Sequence, residues 1–125
     1  MTKGKISPWI PEKDPHVLAA LGKLLEELGE ATQRAARCTN QGYLEKDPDT
    51  GRINIDHLRD ELADIRAAIM LVEDRLGIDT YDEGRTARKY EGFCEWMELI
   101  AEHERKRENL PKVGVPLHER NKIPK

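Results

Sequence analysis

Two pairs of acidic side chains carry the first chemical possibility in this sequence: Glu27 with Glu30, and Glu61 with Asp64. Residues three apart on a helix lie on neighbouring positions of one face, so each pair can aim two carboxylates at one cation. Hard divalent ions such as Mg²⁺ take oxygen ligands in near-octahedral geometry and share protein carboxylates with substrate phosphates. Four convergent carboxylates suit that task. Spacing alone does not single out these pairs, because Asp79/Asp82 and Glu95/Glu98 repeat it and a chain with 24 acidic residues produces such pairs by chance. The competing reading is a solvated helix face on which Lys23 with Glu27, or Glu30 with Arg34, form weak pairs. Position separates the two readings. Glu61 and Asp64 flank an apolar stripe of Leu58, Leu62, Ile65 and Ile69, and Glu27 borders its own stripe beside Leu24 and Ala31. These carboxylates therefore edge an interior in which an unpaired charge is costly and a cation would remove the cost. Glu30 points further from its stripe.

The elements that must position these groups are helical. Asp14 is a candidate N-cap with Pro15 at the first helical position, where a missing N–H costs nothing. From there to about Cys38, Val17, Leu21, Leu24, Leu28, Ala31 and Ala35, joined by Leu18 and Leu25, recur at spacings of three and four. Between Thr39 and Ile53 the period stops, and Asn40-Gln41-Gly42, Asp47-Pro48-Asp49 and Gly51 predict a loop joining two long helices. A second helix starts near Asn54 to Asp56 and runs to Leu76, with Gly77 where a C′ residue belongs. A third follows Asp79 toward Arg107 with Ala87, Tyr90, Phe93, Met97, Ile100 and Ala101 as its inner face. Gly84 and Gly92 each cost about 1 kcal/mol in that helix, which allows a break near Gly92. The expected organisation is an extended segment over 1–13, a helical domain over 14–108 and a basic, Pro-containing arm over 109–125. The fold class is all-α: a bundle of three to four helices per chain, completed by oligomerisation because heavily charged helices this few bury a modest core.

Within this frame, Leu24-Leu25-Glu26-Glu27-Leu28-Gly29-Glu30-Ala31 followed by Asp60-Glu61-Leu62-Ala63-Asp64-Ile65 resembles the MazG family of all-α nucleoside triphosphate pyrophosphohydrolases. That family carries an E-E-x-x-E block and an E-x-x-D block on successive helices, and the similarity spans roughly Val17 to Lys89. The resemblance implies Mg²⁺-dependent hydrolysis of a (d)NTP to (d)NMP and pyrophosphate, with Mn²⁺ as a substitute ion, in a nucleotide-pool house-cleaning role. It implies Glu27, Glu30, Glu61 and Asp64 as metal ligands, with Glu26 or Glu27 positioning or deprotonating the attacking water. Arg85, Arg88 and Lys89 on the third helix, together with Lys23, are the expected phosphate-binding cations, and a guanidinium fork suits phosphate oxygens. Trp9 and Tyr43 are candidates for stacking on the base, while Trp96 lies near the third helix's inner stripe.

Composition narrows the alternatives. With 24 acidic and 21 basic residues the net charge is -3, so no global positive field draws the chain onto nucleic acid. No stretch approaches the roughly 20 apolar residues of a membrane span, and the N-terminus lacks a secretory pattern, so a cytoplasmic location is expected. Cys38 and Cys94 are expected to be buried or half-buried thiols. None of the fifteen glutamates is followed three residues later by His, which removes a di-iron carboxylate bundle. Expected partners are a nucleoside triphosphate and further copies of the chain, as a homodimer or homotetramer. Two other readings stay open: a phosphoribosyl-ATP or dUTP-type pyrophosphohydrolase of the same superfamily, and a non-enzymatic helical interaction protein with a basic C-terminal arm.

Overall fold

The computed structural model describes Gly4 and residues 8–110, which contain three helices: α1 over Pro15–Gln41, α2 over Asn54–Leu76 and α3 over Glu83–Arg107. Among the described residues there is no strand, and the one extended pairing is an isolated bridge between Lys46 and Ile53. The chain divides into two units, Met1–Thr80 with α1 and α2, and Tyr81–Lys125 with α3. Six of the thirteen residues of the expected N-terminal segment and all but two residues of the expected basic arm lie outside the described residues.

Local chemistry explains where each helix starts and stops. The Asp14 carboxylate accepts from the backbone N–H of His16 at 2.8 Å and Val17 at 3.3 Å, satisfying two of the four donors that open α1. α1 continues a turn beyond the expected Cys38 and ends at Gly42, whose φ of 102° suits glycine and whose N–H returns to the Cys38 carbonyl. α2 has no side-chain cap. Its first donors are taken by the preceding loop instead, Asn54 N–H by the Glu45 carbonyl and Ile55 N–H by the Tyr43 carbonyl, both at 2.9 Å. It ends, as the sequence predicts, at Gly77 in the left-handed region with φ 66°. Asp82 caps α3 through the Arg85 N–H at 2.9 Å, and Arg105, Lys106 and Arg107 complement the dipole at its far end. α3 passes through Gly84 and Gly92 without a break.

α1 and α2 pack as an antiparallel hairpin, and the row along which they meet differs from the expected stripes. Among the buried and half-buried positions, Ala20, Leu24, Glu27, Ala31 and Arg34 on α1, and Asn54, Leu58, Glu61, Ile65, Ala68 and Val72 on α2, form the row between the helices. Their alternating spacing of four and three is that of a heptad seam. Leu25, Leu28 and Leu62, placed on the inner stripes by periodicity, are 69%, 42% and 50% exposed. The rotation has a steric cause. Ala20, Ala31 and Ala68 are small enough to let the backbones approach, whereas a seam centred on the leucines would hold them apart.

The rotated seam gives the hairpin two unlike sides. In an antiparallel pair, residues turned in the same sense from the contact row emerge on the same side, since reversing a helix also reverses its sense of rotation. One side carries Leu21, Leu25, Leu28, Ile55, Leu62 and Ile69. The other carries Lys23, Glu26, Glu30, Asp60 and Asp64. The fully buried hydrophobic side chains among the described residues are Ala20, Ala31, Ala68 and Val72, so the seam buries little apolar surface. α3 by itself buries no residue: Tyr90, Phe93, Trp96, Met97 and Ile100, expected as an inner face or its neighbours, are exposed. Cys94 on that helix is accordingly an exposed free thiol, not a buried one, while Cys38 is half-buried and free.

Candidate metal centre

Glu27 and Glu61 occupy the seam itself, one from each helix, and Asp64 stands a turn beyond Glu61 on the acidic side. One carboxylate oxygen from each of the three lies within 4.8 Å of the other two. Glu27 Oε2 and Glu61 Oε2 are buried and have no hydrogen-bond partner. Buried polar atoms are almost always paired, so two orphaned acceptors within a cluster of three carboxylates mark a place suited to a cation. The electrostatics agree. Glu27 is held above its ordinary carboxylate pKa by burial first, then by Glu30, Asp64 and Glu26, with Lys23 opposing. Glu61 is raised by burial first and then by Glu30, Asp64 and Glu27. A divalent ion would counter both causes, compensating the carboxylates for lost hydration and replacing repulsion among like charges with attraction to a shared centre.

A cleft of about 270 Å³ opens beside the cluster, lined by Lys23, Glu27, Asp64, Ala67, Ala68 and Leu71. It puts one ammonium, two carboxylates and a short apolar wall around one space. Lys23, an expected phosphate ligand, thus reaches the cluster's edge. It also binds Glu26 at 2.9 Å on the exposed flank, which turns the Glu26 carboxylate toward Lys23 and outside the three-residue set. Glu30 is exposed and likewise outside that set, although its charge acts on both Glu27 and Glu61. Its place follows from helix geometry, because three residues beyond Glu27 is about 60° away from the seam.

The other expected site residues are not in the cluster. Tyr43 is 56% exposed in the interhelix loop and Trp9 is 87% exposed ahead of α1. Arg85, Arg88 and Lys89 are exposed on the first turns of α3, in the other unit. His57, a histidine one turn before Glu61 and not among the expected site residues, is engaged with the loop: its Nε2 lies 2.7 Å from Thr50 Oγ1, and its Nδ1 lies 3.4 Å from Arg52 Nη1.

Sequence reasoning missed the polar end of the seam. Asp47 is 1% exposed, and its carboxylate accepts from Arg34 Nη1 at 2.8 Å and from the Asp49 N–H at 2.9 Å. The Asp49 N–H and the neighbouring Arg34 and Arg37 hold its pKa below the ordinary value, against the opposing effect of burial. Asn54, equally buried, donates to Gln41 Oε1 at 3.2 Å and to the Gly42 carbonyl at 3.0 Å. The signal available in sequence was Asp47-Pro48-Asp49 followed by Gly51, which marks a turn without revealing that its first carboxylate faces inward.

The sequence matches no protein-family model, and comparison with curated proteins and with solved structures returns no match.

Proposed function

We propose that this chain is a Mg²⁺-dependent nucleoside triphosphate pyrophosphohydrolase that converts a (d)NTP and water to (d)NMP and pyrophosphate. The observation that carries the reading is the convergence of Glu27, Glu61 and Asp64 across two helices, with two of their buried oxygens unpartnered. These residues fit the ion by chemistry: three hard oxygen donors, excess negative charge and an adjoining cleft open to solvent. Glu27, Glu61 and Asp64 would hold it, with Glu30 next to them. When bound, Mg²⁺ neutralises triphosphate charge and lowers the pKa of coordinated water.

The chain's own groups then have separate tasks. Lys23 at the cleft edge places a cation where phosphate oxygens would enter. Glu27, which lines the cleft, is suited to hold a water and accept its proton, and Glu26 stands beside it as the alternative acceptor. Ala67 and Leu71 give the cleft an apolar wall for the less polar part of a nucleotide. Arg85, Arg88 and Lys89 form a cationic start to α3 that suits phosphate, and Trp9 and Tyr43 are exposed aromatics available for a base.

Assembly as a homodimer or homotetramer belongs to the same reading. Its support is the apolar side of the hairpin, where Ile55, Leu62 and Ala63 with Arg59 and Arg66 line a groove of about 520 Å³. The experiment that tests the function is a panel of (d)NTPs with Mg²⁺, scoring pyrophosphate against orthophosphate, on wild type and on Glu61→Ala/Asp64→Ala. Pyrophosphate release by the wild type, lost in the folded double variant, supports the proposal. Absence of Mg²⁺-stimulated release from every triphosphate refutes it.

A further inference from the structure

We propose that Arg34 and Asp47 form a register clamp that positions Glu27 against Glu61, an inference that rests on the cation-binding reading for its purpose but not for its geometry. Arg34 belongs to the contact row of α1, seven residues beyond Glu27. Asn54 belongs to the contact row of α2, seven residues before Glu61. Asn54 donates to Gln41 and to the Gly42 carbonyl, so the start of α2 is tied to the end of α1, while Arg34 is tied to the loop between them.

The alanines of the seam, Ala20, Ala31 and Ala68, are small and alike, so their contacts discriminate weakly between neighbouring registers. The loop end is different. Asp47 is nearly inaccessible and joined through Oδ2 to Arg34 at 2.8 Å, with Arg37 Nη1 3.9 Å from its Oδ1. The Asp47 N–H donates to the Arg52 carbonyl at 2.8 Å and its own carbonyl accepts from Gly51 N–H at 2.7 Å, so the carboxylate is carried on a closed turn. Asn54 N–H then ties that turn to the start of α2 through the Glu45 carbonyl. A slip of α1 by one residue would break the ion pair, leaving a buried carboxylate without its closest guanidinium, and would swing Glu27 by about 100° from Glu61. Buried ion pairs are poor sources of net stability, and their best-attested use is fixing register.

The test reads register directly in the full chain. With Cys38 and Cys94 replaced by Ser, Glu27→Cys and Glu61→Cys are introduced together, and the rate at which a bifunctional methanethiosulfonate with a two-carbon spacer bridges them is followed. The expected result is rapid closure with Arg34 present, slowing at least about tenfold in Arg34→Met, with an intermediate rate in Arg34→Lys, which keeps the charge but loses the guanidinium fork. Unchanged closure in Arg34→Met would overturn the clamp, and Arg34→Lys keeps the test decisive if Arg34→Met does not fold. In parallel, Mn²⁺ binding is followed by the loss of the free-ion electron paramagnetic resonance signal in the otherwise unaltered chain. Wild-type binding that weakens about tenfold or more in Arg34→Lys supports both readings. Absence of Mn²⁺ binding by wild type, with closure still dependent on Arg34, sinks the cation reading and leaves the clamp standing.

Discussion

Replacing Glu61 by Gln separates a metal centre from a merely solvated acidic face, because the two properties it changes move in opposite directions. Gln keeps the volume of Glu, removes one negative charge from the three carboxylates that converge within 4.8 Å, and supplies an amide N–H to an orphaned oxygen nearby. Without divalent ions both effects stabilise the fold, and the melting midpoint should rise by about 3–6 °C. Metal affinity should fall. Loss of a residue that only supports a ligand typically costs about 10–100-fold, so loss of a direct ligand should reach at least the upper end, about 100-fold. At a Mg²⁺ concentration 100 times the wild-type Kd, binding stabilises the wild type by about 2.7 kcal/mol. The same concentration would then equal the variant's Kd and contribute only about 0.4 kcal/mol. Thermal melts with and without Mg²⁺, together with titration calorimetry, measure both quantities. A variant that melts no higher than wild type in chelator, and gains as much from Mg²⁺ as wild type does, would refute the metal centre.

Four further outcomes follow from the structure. Glu27 and Glu61 have raised pKa values, so the folded chain binds more protons than the unfolded one. Their contribution is fully present below the unfolded value of 4.5 and is lost as pH rises through the folded values. Urea titrations in chelator should therefore show that contribution declining above about pH 4.5, with added Mg²⁺ offsetting the decline. Val72→Ala removes two buried methyl groups from the seam and should cost about 2 kcal/mol in the same titrations. Gly77→Ala forces a side chain onto a φ of 66° and should cost about 1 kcal/mol, read from the urea midpoint at unchanged slope. Leu25→Glu places a charge on the apolar side of the hairpin and should reduce the sedimentation coefficient to that of a monomer, with helical content unchanged; an undiminished value would remove that side as the contact between copies.

Helix identity was legible because it rests on local signals: Asp14 and Pro15 opening α1, Gly77 closing α2, and an apolar period of three and four between them. The azimuth of packing was not. Ala20 and Ala68 contribute little to a hydrophobic period, yet they decide which face closes, since backbone approach depends on what is small as much as on what is apolar. That rotation carried Glu61 from the edge of the expected stripe into the seam. The pairing of Glu27 with Glu61 and Asp64 crosses helices, and no spacing within one helix distinguishes it from Asp79/Asp82. Asp47 read as a turn former because its partner Arg34 lies thirteen residues earlier. Gly92 read as a weak point, but a helix anchored at both ends tolerates one glycine's modest backbone cost.

The ties at the loop end and the carboxylates further along the seam give the hairpin a phase as well as a length. Between Glu27 and Arg34 on one helix, and between Asn54 and Glu61 on the other, a single inserted or deleted residue turns a carboxylate about 100° out of alignment. A seven-residue change made in both helices restores the facing within about 20° and lengthens the rod by two turns. Chains that diverge from this one while keeping its acidic layer should therefore vary freely in the exposed part of the loop around Tyr43 and Leu44. Inside the helices they should differ by whole heptads or not at all.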